Sequence, residues 1–174
     1  LEGYLFPDTY EFYLGEDPKT AINKMLVNFD RRFDDEMRAA AQEKGYSVRD
    51  IVIIASMIEK ETDGTDQAHI ASVIYNRLTN TSAETVGLLG IDATLVYALG
   101  RPITQDDYQT ADTPYNTYKY QGLPPGPISN PGMVAIRAAM NPDSTSDYYY
   151  VLGNDGKHHF VKTMKGQKEE KRSG

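Results

Sequence analysis

The spacing of apolar and polar positions divides the chain into a helical middle and short strand signals near its end. Asp17 followed by Pro18 supplies an N-cap and a first helical position. Ala21, Met25, Phe29, Phe33 and Met37 then recur every four residues until Lys44-Gly45, which predicts one amphipathic helix of about seven turns. Ser47-Val48-Arg49-Asp50 has the form of a capping box, and Ile51 to Ile58 is apolar on nearly every face. A second helix is therefore expected deep in the core, ending in Glu59-Lys60-Glu61-Thr62-Asp63-Gly64. A third starts near Thr65 or Asp66 and turns Ile70, Ala71, Ile74 and Leu78 inward, and a fourth opens at Asn130-Pro131 and runs to Asn141-Pro142. Tyr148 to Leu152 and His158 to Lys162 flank Asn154-Asp155-Gly156, the pattern of a β-hairpin.

Between these elements, Thr110 to Pro131 holds five of the nine prolines and reads as an ordered loop. Together the elements imply a single α+β domain over residues 1–163, helical at its centre with small peripheral strands. Residues 164–174 are charged and lack an apolar face, so they are expected to fray.

Composition narrows the functional classes. With 25 acidic and 18 basic side chains the net charge is −7, which disfavours nucleic acid or an anionic lipid surface as a partner. Cysteine is absent, excluding disulfides, thiolate metal sites and a cysteine nucleophile. No apolar run is long enough to span a bilayer and no leader opens the chain at Leu1, so the sequence reads as an excised soluble piece. Signatures for phosphate-binding loops, dinucleotide folds, α/β-hydrolases and zincins are missing. His158 and His159 are strand neighbours facing opposite ways and His69 lies on a helix flank, a poor spacing for metal. No metal or cofactor is expected.

Carboxylate chemistry remains. Glu59 and Glu61 end the most apolar stretch of the chain, where desolvation raises the pKa of whichever turns inward and prepares a general acid. At about 100° per residue each lies some 80° to one side of the core stripe, so helix geometry leaves the choice open and the two cannot act as one pair. A second carboxylate would have to come from elsewhere, for example Asp8, Asp92 or Asp112. Thirteen tyrosines and five phenylalanines without tryptophan include two loop clusters, Tyr4, Phe6 and Tyr10, and Tyr115, Tyr118 and Tyr120. Flat rings with polar tips suit sugar faces, though core packing accounts for many of them. Gly122 to Ile128, with Pro124 and Pro125, reads as a rigid loop, either a groove wall or a cover for a core edge.

Five blocks in order, Glu2 to Tyr10, Ala55 to Thr62, Ala71 to Leu78, Thr113 to Tyr118 and Gly122 to Ile128, resemble the catalytic domain of the MltG (YceG-like) endolytic murein transglycosylases. That resemblance implies a lysozyme-like active-site helix and cleavage of the MurNAc-β-1,4-GlcNAc bond without water, leaving a 1,6-anhydro end and limiting nascent strand length. It implies Glu61 as the catalytic residue, with Glu59 as the alternative. It implies substrate contacts from Tyr4, Phe6, Asp8, Tyr10, Tyr115, Asn116, Thr117, Tyr118, Pro124 and Pro125, with support from Ser56, Asn76, Arg77 and Asp92. It implies peptidoglycan as substrate, penicillin-binding proteins nearby, an N-terminal membrane anchor ahead of this region, and an extracytoplasmic location. Leu88 to Thr94 departs from the family pattern, which argues against a substrate contact there. The competing readings are a glycan-binding module without catalysis and a carboxylate-bound metal hydrolase.

Overall fold

A computed structural model describes residues 1–62 and 64–173. Their elements, in order, are α1 (Pro18–Arg32), α2 (Asp35–Glu43), α3 (Val48–Glu61), α4 (Gln67–Thr79), α5 (Asp92–Leu99), α6 (Asp107–Thr110), α7 (Met133–Met140), β1 (Tyr149–Leu152), β2 (His158–Val161) and α8 (Met164–Ser173). The α+β reading stands.

The capping box forms as expected. Ser47 accepts from the Asp50 amide, and Asp50 in turn accepts from the Ser47 amide. α3 is the axle of the molecule, because every residue from Ile51 to Ile58 is buried and α7, α4, α2 and α5 pack around it. A helix apolar all round is stable only when enclosed in this way. The hairpin pairs β1 and β2 antiparallel, with Tyr150 opposite Phe160, and it lies beside α4.

Three expectations change. The predicted seven-turn helix is two helices, since Phe33 closes α1 and the Asp34 side chain caps α2 by accepting from the Met37 amide at 2.9 Å. Residues 164–173 do not fray but form α8, which packs on both strands of the hairpin. Thr163 accepts from the Gly166 amide and Glu84 from the Met164 amide, so the first turn of α8 is satisfied. α5 was not anticipated, although it opens on an acidic residue and closes on Gly100 in the left-handed region (φ 64°), both legible helix boundaries.

The segment from Pro125 to Gly132 runs alongside α3. Arg49 donates to the Pro125 carbonyl, the Ile128 amide to Ser56 Oγ, and the Gly132 amide to Glu59. Gly3 is wedged against this segment at φ 92°, where a Cβ would lie 2.5 Å from Pro127 and 2.7 Å from Val52, so only glycine fits. Asn130 Oδ1 accepts from the Gly3 and Leu5 amides and fastens the N-terminal strap to the core.

Candidate active site

The two glutamates at the end of α3 have different fates. Glu59 is exposed and accepts the amide of Gly132, the N-cap of α7, at 3.0 Å, where a carboxylate suits the helix dipole. Glu61 turns the other way, into a cavity of about 290 Å³ that it shares with Arg77, Gly90, Asp92, Tyr118, Tyr150, Gln167 and Lys171. Tyr150 Oη donates to Glu61 Oε2 at 2.5 Å. Burial raises the Glu61 pKa and the charge of Asp92 adds to the rise, while the Tyr150 hydrogen bond and the neighbouring His158 and Arg77 side chains oppose it.

Five elements converge here. α3 brings Glu61, α4 brings Arg77, the start of α5 brings Asp92, β1 brings Tyr150 and α8 brings Gln167 and Lys171. Arg77 is buried, and its guanidinium donates to the Tyr148 carbonyl at 2.6 Å and to the Leu89 carbonyl, tying β1 to the turn before α5. Asn76 does related work, donating to the Thr145 and Asp147 carbonyls. Asp92 accepts from the hydroxyls of Tyr118 and Tyr108. On the far side of Glu61 a second depression of about 430 Å³ is lined by Thr62, Asp66, Leu152 and His158, with His158 Nδ1 2.6 Å from Asp66 Oδ2. Glu61 thus lines both hollows. Among the described residues no cluster of His, Asp or Glu has the geometry to hold a metal ion.

Several of the expected contact residues lie away from the Glu61 cavity. Tyr4 packs edge-on against Phe29, and Phe6 is buried beneath the Arg32 guanidinium. Tyr10 donates to the Phe6 carbonyl, and Asp8 pairs with Arg32 at 2.6 Å and accepts from Asn28. These four hold the N-terminal strap on α1 and do not line the Glu61 cavity. Asn116 and Thr117 are fully buried. Asn116 donates to the Tyr108 and Ala111 carbonyls, and Thr117 accepts from the Ile91 amide, so their polar groups are spent on the fold. Ser56 is likewise enclosed. Tyr115 stacks near Tyr97 and Gly126, while Pro124 is buried and Pro125 sits beside Arg49. Twelve residues separate Arg49 from Glu61 along α3, a rise of about 18 Å, so the Pro124-Pro125 turn walls the opposite end of that helix.

Of the expected contact residues, Tyr118 alone lines the cavity, joined by the supporting residues Arg77 and Asp92. Gly90 and Asp92, within the stretch that departs from the family pattern, also line the cavity. Tyr150, Gln167 and Lys171 were missed. The run Tyr148-Tyr149-Tyr150 was a visible signal, since alternation sends Tyr150 to the face opposite Tyr149.

A family model described as YceG-like matches residues 1–173. The chain belongs to the YceG-like family. It is 37% identical over 177 residues to an endolytic murein transglycosylase of Bacillus subtilis (strain 168), an alignment covering 98% of this chain and 47% of that protein. A protein of the same name from Streptococcus pneumoniae serotype 2 (strain D39 / NCTC 7466) is 33% identical, over 92% of this chain and 30% of its own length. This YceG-like chain therefore spans less than half the length of these relatives. The crystal structure of a YceG-like protein from Listeria monocytogenes superimposes with a TM-score of 0.86 at 36% identity, covering 96% of this chain and 54% of that one.

Proposed function

We propose that this YceG-like chain is an endolytic lytic transglycosylase acting on peptidoglycan, with Glu61 as its acid and then its base. The observation that carries the reading is the Glu61 carboxyl, raised in pKa by burial, held by a tyrosine hydroxyl and lining two hollows. Protonated Glu61 donates to the glycosidic oxygen leaving C1 of MurNAc, and the C1–O4 bond breaks. The new carboxylate takes the proton of the same sugar's C6 hydroxyl as O6 closes on C1, giving a 1,6-anhydro end. The nucleophile belongs to the substrate, so one catalytic carboxylate suffices. Tyr150 occupies Oε2 and fixes the rotamer, leaving the other oxygen to carry the proton. Trimming of nascent strands beside penicillin-binding synthases, from a membrane-anchored parent on the extracytoplasmic side, is part of the proposal. Among the described residues no helix is long and apolar enough to cross a membrane.

Digestion of purified peptidoglycan followed by mass spectrometry tests this. Anhydro-ended fragments are expected from the wild type, and Glu61→Gln should lower their yield by roughly 10²- to 10⁴-fold. A comparable loss on Glu59→Gln with Glu61→Gln active would reverse the assignment, and intact glycan with retained binding would leave a binding module. Asp92 in the same cavity favours one further reading, hydrolysis, with Asp92 activating water. It predicts reducing ends that disappear on Asp92→Asn.

A further inference from the structure

A side chamber of about 370 Å³ opens beside the Glu61 cavity, and the two share Arg77, Gly90, Tyr118, Gln167 and Lys171. An unbranched sugar chain passing Glu61 needs only a trough. A chamber leading off it, of a size usual for ligand sites, calls for a substituent that leaves the sugar chain sideways. Its lining is that of a site for a short amphiphilic group. Val86, Leu88 and Met164 give it apolar surface. The Thr85 hydroxyl is buried without a hydrogen-bond partner among the described residues, a rare condition in a folded chain. Val86 beside it is held at φ 47°, a strained conformation for a β-branched residue.

The charges have the same logic. Glu61, Asp92 and Glu84 are the acids around the two cavities, and the Arg77 guanidinium is already engaged with two backbone carbonyls. Lys171, on the last turn of α8, lines both cavities and a third hollow beyond them that holds Leu152 and Asp155. Among the described residues it has no ion-pair partner. In stem-bearing peptidoglycan the lactyl carboxyl of MurNAc is tied up in an amide, so the sugar chain itself offers an uncommitted ammonium no charge. The peptide attached to the muramyl lactyl group does carry carboxylates.

We propose that the side chamber receives the peptide stem of a muramyl residue and that Lys171 pairs with a stem carboxylate, so that the chain selects stem-bearing over bare glycan. The inference rests on the proposed function for its substrate class. An ammonium and a carboxylate at the mouth of a half-enclosed chamber form a charge-assisted pair whose worth falls with added salt.

Binding tests the proposal without turnover. In a Glu61→Gln background, calorimetry is run with a four-sugar peptidoglycan fragment carrying tetrapeptide stems and with the same fragment stripped by an amidase and then amidated at the freed lactyl carboxyls, so that the bare probe carries no charge. The stem-bearing probe is expected to bind more tightly. Lys171→Ala should weaken that probe up to roughly fivefold while shifting the bare one far less, and Lys171→Glu should weaken it further. Lys171→Arg should restore the preference. Thr85→Val, nearly equal in shape, should narrow it through loss of the hydroxyl. Equal weakening of both probes by Lys171→Ala, an equal affinity of the parent for both, or no binding of either overturns the proposal. Failure of the functional reading looks different: the wild type then releases no fragments from either glycan while the stem preference in binding persists.

Discussion

At the scale of single residues, the decisive fact is how differently two glutamates two positions apart are treated. Helix geometry gave Glu59 and Glu61 equal angles from the core stripe. What separates them are partners 73 and 89 residues away in sequence, the Gly132 amide and the Tyr150 hydroxyl. The chemistry of Glu61 has a cost in stability. Burial raises its pKa above the ordinary glutamate value of 4.5, so the folded chain holds this proton more tightly than the unfolded chain does. Stability then falls as pH rises from the ordinary glutamate range through the raised pKa, and the full penalty applies above it. Glutamine carries no charge to desolvate, and its amide oxygen still accepts from Tyr150. Glu61→Gln should therefore melt above the wild type at pH 7 to 8, with the gap closing as pH falls through the raised pKa to the ordinary glutamate range. Calorimetric melting points across that range would show it, and a gap independent of pH would contradict it. That an acid ends the apolar helix was legible in the sequence. Which acid turns inward was not, because the answer lies in tertiary contacts.

At the scale of elements, the break between α1 and α2 shows where periodicity misled. Residues four apart advance 40° beyond a full turn, so five positions spaced by four, from Ala21 to Met37, drift about 160° around a straight helix. No single face can bury all of them. The chain solves this by stopping at Phe33, which is fully buried, and restarting at Asp34, whose side chain caps α2 with Asp35 and Glu36 in the first turn. Asp34→Ala should cost about 1 kcal/mol, the usual worth of an N-cap, and Asp34→Asn should recover most of it. Urea denaturation measures both. A variant stabilised by Asp34→Ala would mean that the sequence favours the continuous helix. α3, α4, α7 and the hairpin were readable because caps, apolar runs and turn residues agree along each segment. Most of the two aromatic clusters lies away from the Glu61 cavity, Tyr118 apart, since hydroxyls that suit a sugar serve equally to pin a strap or a loop. Tyr10 on the Phe6 carbonyl and Tyr120 on Asp112 are such cases.

At the scale of the whole molecule, the trough is assembled from parts of unequal stability. α3, α4 and α7 share one apolar core, whereas α8 packs mainly on the hairpin and a two-stranded hairpin is marginal by itself. The base of the hairpin is tethered to α4, by Arg77 to the Tyr148 carbonyl and by Asn80 to the Tyr148 hydroxyl. Its upper part, including Tyr150, relies on α8, where Gln167 donates to the Tyr150 carbonyl. Removing residues 164–174 should therefore leave the helical core folded while loosening the strand that holds the Glu61 rotamer. Hydrogen exchange should then show faster exchange in β1 and β2 with α3 protected as before, and a melting point lowered by only about 2–4 °C. Activity on peptidoglycan should fall far more than stability, because the shortened chain loses Lys171, Gln167 and the fixed position of Tyr150 together. Full activity would show that α8 only covers the hairpin, and collapse of protection in α3 would make α8 part of the core. The intermediate result, a firm core with a loosened rim, is what a site built at the junction of a rigid helix and a marginal hairpin requires.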